Sequence, residues 1–299
     1  MNRLEVNRLE RGEARAPRGP GAHGLAPGPL EMALRANRDA GRKSLVTYLT
    51  GGLGDWTAMV RAAAHAGADA IEIGIPFSDP VMDGPVIQEA NELALEAGAT
   101  PTSILGAVPE LDAGVPLAVM TYANLVYRFG FERFARHCAK IGVSAVILPD
   151  IPLEESGEWC AAADASNIET VLLAAPTAPD ERLPRICARS RGFVYAVGLL
   201  GITGERASLA ASAITIARRL KAVTDLPVLV GVGIGTPEQA AEVCEVADGV
   251  IVGSAIVRRM VSDGTAESVG ELVGEFRAAL DGHRSGGKLE DPRRNASGQ

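Results

Sequence analysis

The sequence predicts an α/β chain folded as a (β/α)8 TIM barrel, with extra helices and disordered tails at both ends. Three observations carry that expectation. Short aliphatic and β-branched runs recur eight times, and their starts lie about 21 to 47 residues apart, which leaves room each time for a helix and two loops. The runs are continuously apolar rather than alternating, as strands covered on both faces are. Eight such units in about 250 residues favour a closed barrel over the competing doubly wound open sheet.

In chain order the predicted strands are 45–49, 70–74, 117–121, 145–149, 170–173, 193–197, 228–231 and 249–252, and helical segments such as 57–65, 86–96 and 237–246 fill the gaps. A last helix is expected near 266–281. Residues 1–29 hold the near-repeat Asn2-Arg3-Leu4-Glu5 and Asn7-Arg8-Leu9-Glu10, then a stretch rich in Pro and Gly from Pro17 to Pro29, and read as a disordered extension. Residues 283–299 have no apolar periodicity and form a second tail, leaving 30–282 as the barrel domain.

Composition narrows the function classes. With 299 residues, 47% apolar and 22% charged, the chain is globular with ample core, which excludes wholesale disorder and fibres. A formal charge of -8 leaves no basic field for a nucleic acid or an anionic membrane surface, so small-molecule or protein partners are expected. The four cysteines lie 22, 27 and 57 residues apart without a CxxC pair, and the four histidines fall outside motif-like turns. Neither disulfides nor a metal site is expected. No apolar run reaches the ~18 residues of a membrane span and the start lacks a secretory signal, so the expected compartment is the cytoplasm.

In such a barrel the chemistry sits at the carboxyl ends of the strands. Along residues 70–75, Ile71, Ile73 and Ile75 share one face and pack under helices, while Ala70, Glu72 and Gly74 share the other. Glu72 therefore points into the interior, where desolvation raises its pKa, with Gly74 leaving space above it for a ligand. The loop 76–85 adds Asp79 and Asp83; Pro85 suits a first helical position, so Asp83 is either a functional carboxylate or a helix cap. Late in the chain Gly201-Ile202-Thr203-Gly204, Gly231-Val232-Gly233-Ile234-Gly235 and Gly253-Ser254-Ala255 follow the last three strands. Bare backbone N–H groups and a helix start converging there form a phosphate site. An interior acid opposite a phosphate cradle points to proton transfer on a phosphorylated metabolite, with an isomerase and an aldol-type lyase both open.

The words Ile71-Glu72-Ile73-Gly74-Ile75-Pro76-Phe77-Ser78-Asp79-Pro80 and Asp83-Gly84-Pro85-Val86-Ile87-Gln88 closely resemble the signature of the tryptophan synthase alpha chain family. The match continues through Met120-Thr121-Tyr122-Ala123-Asn124, Pro149-Asp150-Ile151-Pro152, the three glycine runs and Ile256-Val257, over about residues 30–281. The resemblance implies retro-aldol cleavage of indole-3-glycerol phosphate to indole and glyceraldehyde-3-phosphate. Indole would then pass to a beta chain in an alpha2-beta2 heterotetramer, as the last step of tryptophan biosynthesis. It implies Glu72 as the proton-transferring residue and Asp83 as the carboxylate for the indole N–H. Tyr48, Tyr122 and Tyr195 line the indole and glycerol pocket, and Thr203, Gly204, Gly231, Gly233, Gly253 and Ser254 close over the substrate and bind its phosphate. No cofactor is implied for this chain. The partner surface is expected around 76–80 and 124–127.

Two segments depart from the family pattern: the turn Thr50-Gly51-Gly52-Leu53-Gly54-Asp55 lacks a proline, and Gly198-Leu199-Leu200-Gly201 replaces small polar residues. Competing readings are a free-standing lyase that releases indole, a catalytically weak regulatory subunit, and another phosphate-binding barrel such as a phosphoribosyl isomerase. The Pro-Phe-Ser-Asp-Pro loop weighs against the last.

Overall fold

The computed structural model describes residues 24–198, 206–231 and 233–282, with side chains throughout except at 206–210. Eight parallel strands close into a barrel in sequence order. They are β1 Ser44–Thr50, β2 Ala70–Gly74, β3 Leu117–Met120, β4 Val143–Ile147, β5 Glu169–Ala174, β6 Val194–Val197, β7 Val228–Gly231 and β8 Gly249–Val252. The expected runs fall on these strands with ends shifted by at most two residues. Closure comes from β8 pairing with β1, Ser44 opposite Gly249. Gly249 is required there because a methyl group would run into the Ser44 carbonyl.

The helices are α1 Pro29–Asp39, α2 Trp56–His65, α3 Pro85–Glu96, α4 Pro101–Ala107, α5 Ala123–Phe129, α6 Phe131–Lys140, α7 Gly157–Ala165, α8 Leu183–Arg189, α9 Arg206–Lys221, α10 Pro237–Val243, α11 Ser254–Ser262 and α12 Ala266–Gly282. Sequence explains their starts. Asp55 caps α2 by accepting from the Ala58 N–H, and Thr236 with Gln239 forms a capping box at α10. The segment expected as 237–246 ends as helix at Val243; the chain turns there.

Alternation sorts the side chains into two cores. Ile71 and Ile73 of β2 pack outward with Met59 and Val60 of α2, while Ala70 joins Val46, Ala118, Val171, Phe193 and Leu229 inside the barrel. The interior cluster also holds Leu30 and Leu34 of α1, so this extra helix plugs the end where the strands begin. Its attachment is specific. Pro29 at the first helical position has no N–H, and the next two backbone donors, Leu30 and Glu31, each meet the Glu169 carboxylate at 2.9 Å. Arg35 of α1 reaches Asp225 at 2.8 Å. Buried Arg191 donates to Asp164 at 3.2 Å and to the Ile168 carbonyl at 3.0 Å.

Residues 24–28 run as irregular chain into α1, which begins at Pro29, one residue before the expected domain start. The rest of the two predicted tails, residues 1–23 and 283–299, lies outside the described residues. Among the described residues all four cysteines are unpaired and buried, no group of acidic, His or Cys side chains could hold a metal ion, and no helix is long and apolar enough to cross a membrane.

Candidate active site

At the opposite end from α1 the barrel opens into a cavity of about 300 Å3. Glu72 contributes its floor. Its register partners are Tyr48 on β1 and Ala118 on β3, and it is 1% exposed. Neither carboxylate oxygen has a hydrogen-bond partner among the described residues. Burial pushes its pKa up to about 8, with the nearby Asp83 charge adding to the effect. A carboxylic acid kept protonated near neutrality and aimed into a cavity is a proton donor waiting for an acceptor.

Asp83 enters the same cavity from the loop before α3. The alternative that it caps α3 fails, because Gly84 occupies the cap position and no side chain bonds the helix start. Instead Asn91, one and a half turns along α3 and 2% exposed, donates from Nδ2 to Asp83 Oδ2 at 3.3 Å. Gln88 donates to the Asp83 carbonyl at 2.8 Å. Burial raises the Asp83 carboxyl, and hydrogen bonds from Tyr122 and Asn91 act against that rise. The Tyr122 hydroxyl also accepts the Met82 N–H at 3.0 Å, and its ring stacks on Phe77 at 4.9 Å. The two acids thus differ: Glu72 is unpartnered, Asp83 is held on several sides.

The three expected tyrosines take different positions. Tyr48 and Tyr195 line the cavity from within β1 and β6. Tyr122 supports Asp83 from behind, at the start of α5, rather than lining the cavity. The space above Gly74 belongs to the protein itself: a methyl group there would collide with the Tyr48 hydroxyl, so the glycine admits Tyr48 rather than a ligand. Gly231 makes the same allowance for the Tyr195 hydroxyl. In both cases the tyrosine leans over a glycine two residues beyond its register partner on the next strand, Glu72 for Tyr48 and Leu229 for Tyr195.

Gly233, Gly253 and Ser254 line the same cavity, with Ser254 opening α11. Gly233 has φ +88°, a conformation that suits glycine. Backbone donors at the start of α11 face an anion there favourably. Thr203 and Gly204, along with most of the Gly198–Gly201 segment, lie outside the described residues. The residues that the sequence reading missed are Met82, Ile87, Met120, Ile234, Ile251 and Arg258 in the wall and Asn91 behind Asp83. Of these Ile87, Met120 and Ile234 lie within the motif words quoted above, and Arg258 follows Ser254 by four residues.

A larger groove of about 880 Å3 between α6 and α7 is lined by Phe131, Arg136, Glu158 and Ala162 among others. None of the buried unpartnered polar atoms belongs to its lining, and it borders no glycine run. The smaller cavity is therefore the candidate site: there an acid, a held carboxylate, two aromatic walls and an anion-favouring helix start meet.

Comparison with known proteins agrees with that geometry. The family model described as tryptophan synthase alpha chain matches residues 34–279. The tryptophan synthase alpha chain of Streptomyces coelicolor is 46% identical over 78% of this chain and 88% of its own length. That of Thermobifida fusca is 43% identical over 84% and 96%. Among solved structures, tryptophan synthase of Mycobacterium tuberculosis is 38% identical with a TM-score of 0.79, covering 85% of this chain and 99% of that one. The tryptophan synthase alpha chain of Legionella pneumophila is 30% identical with a TM-score of 0.78, covering 88% and 100%.

Proposed function

The chain belongs to the tryptophan synthase alpha chain family, and from that premise we propose how its cavity cleaves indole-3-glycerol phosphate to indole and glyceraldehyde-3-phosphate. The observation that carries the reading is Glu72, a buried acid without a partner among the described residues, facing the same cavity as Asp83 and the start of α11.

Glu72 gives its proton to indole C3, and the ring becomes an indolenine with positive charge on its nitrogen. Asp83, held by Asn91 and Tyr122, accepts the ring N–H and stabilises that charge. The substrate hydroxyl next to the scissile bond then returns a proton to the Glu72 carboxylate. Its O–H electrons form the aldehyde, and the electrons of the broken carbon–carbon bond neutralise the ring. Glu72 ends as it began, so one group serves as acid and then base. Tyr48 and Tyr195 supply aromatic walls for the indole, with Met120 and Ile251 beside them. The phosphate lies at Gly233, Gly253 and Ser254, with Thr203, Gly204 and Gly231 completing that end. No cofactor or metal enters these steps.

Indole passes to a tryptophan synthase beta chain in an alpha2-beta2 heterotetramer, as the last step of tryptophan biosynthesis. Apolar side chains exposed beside the expected partner segments, Val81 at 80% and Tyr127 at 74%, support docking on this face. The lyase domain is residues 30–282, and the compartment is the cytoplasm. The test is indole release from indole-3-glycerol phosphate by the purified chain, alone and with a beta chain. Slow release that the beta chain stimulates is expected. Fast release alone points to a free-standing lyase, and none in either setting removes the lyase reading.

A further inference from the structure

Arg258 of α11 stands four residues after Ser254, so the two side chains fall on one face of the helix, and both line the cavity. It is the one basic side chain among the residues lining that cavity, which also holds the acids Glu72 and Asp83. Its neighbour is already committed elsewhere: Arg259 pairs with Asp263 at 3.5 Å, along the helix. Arg258 has no ion pair or hydrogen bond among the described residues, although the chain as a whole carries a net charge of -8.

A guanidinium left free at the rim of a cavity is a demand for an anion, and the cavity's own acids do not meet it. Backbone donors at a helix start offer about half a positive charge, whereas a phosphate ester brings close to two negative ones into a cavity that already holds the Asp83 carboxyl. We propose that Arg258 binds the substrate's phosphate, supplying the full positive charge that α11 supplies only in part and favouring phosphorylated over unphosphorylated indole glycerols. The assignment rests on the function proposed above. Arg258 is exposed, so its replacement leaves the packed core untouched.

The experiment compares Arg258→Gln with Arg259→Gln in the full chain, with the wild type alongside. It reads KM for indole-3-glycerol phosphate, inhibition by glycerol 3-phosphate, and binding of indole, which has no phosphate. Arg258→Gln is expected to raise KM and the inhibition constant roughly tenfold, more than it lowers kcat, and to leave indole binding unchanged. Added salt should bring the wild type toward the variant. Arg259→Gln should match the wild type. Equal phosphate affinity in Arg258→Gln and wild type overturns the assignment, as does equal weakening in both variants, which would mean a diffuse surface field. A wild type that cleaves the substrate while Arg258→Gln binds it normally removes this assignment alone. A wild type that neither cleaves nor binds either phosphate compound removes the functional reading with it.

Discussion

Two buried glutamates stand inside the same barrel, and they are built for opposite purposes. Glu169 on β5 faces the plugged end, where its two oxygens meet the first free backbone donors of α1. Glu72 on β2 faces the open end, with both oxygens unpartnered among the described residues. Burial raises both, Glu169 to about 7 against its two N–H bonds and Glu72 to about 8. A raised pKa alone therefore does not separate a working acid from a structural one. The separation lies in what each carboxyl touches: a satisfied group closes the fold, whereas an unsatisfied one beside a cavity leaves its proton available for transfer.

The sharpest way to break this contrast is Glu72→Gln, which keeps the shape and removes the proton. Indole release should fall roughly a thousandfold while the chain stays folded. Asp83→Asn comes next, with a loss of roughly a hundredfold, because the amide no longer balances charge on the ring nitrogen. Steady-state kinetics with a beta chain present measures both. Retention of activity in Glu72→Gln would leave the two glutamates indistinguishable and sink the proton-transfer assignment.

A pH series sharpens the comparison further. An unfolded Glu ionises near 4.5, whereas folded Glu72 holds its proton to about 8. Between these values the unfolded chain releases a proton that the folded one keeps, so this group's contribution is fully present below pH 4.5 and is lost as pH rises toward 8. Urea unfolding should show Glu72→Gln gaining on the wild type by on the order of 3 kcal/mol between pH 5 and pH 8. The basic limb of kcat/KM should fall near pH 8 in the wild type. A stability difference that does not change with pH would mean that Glu72 is solvated rather than buried.

The smallest effect belongs to the plugged end. Glu169→Ala should cost about 2 kcal/mol of stability, since two helix-start donors lose their acceptor, with turnover at low temperature close to wild type. Denaturant melts and turnover on the same preparation decide it; a loss of activity as deep as that of Glu72→Gln would erase the distinction between the two ends.

Much of this was legible in the residues. Strand count, the outward isoleucines of β2 and the inward Glu72 follow from period-two alternation, which needs only the local sequence. The role of Glu169 was not legible, because its partners Leu30 and Glu31 lie more than a hundred positions away in the chain. Asn91 was hidden for a similar reason: on sequence it is one polar residue of α3, and only the return of the loop over the helix sets it against Asp83. The glycines misled in another way. Gly74 reads as room for a ligand until the neighbouring strand brings the Tyr48 hydroxyl into that room.

By itself, then, the sequence determined the eightfold alternation, the face on which Glu72 lies and the family to which the chain belongs, since these rest on periodicity and on contiguous motifs. Only the tertiary structure decided which of two buried acids is satisfied, which glycines serve tyrosines and which arginine lines the cavity. Those outcomes depend on barrel closure, where register and helix docking set the distances between side chains far apart in the chain.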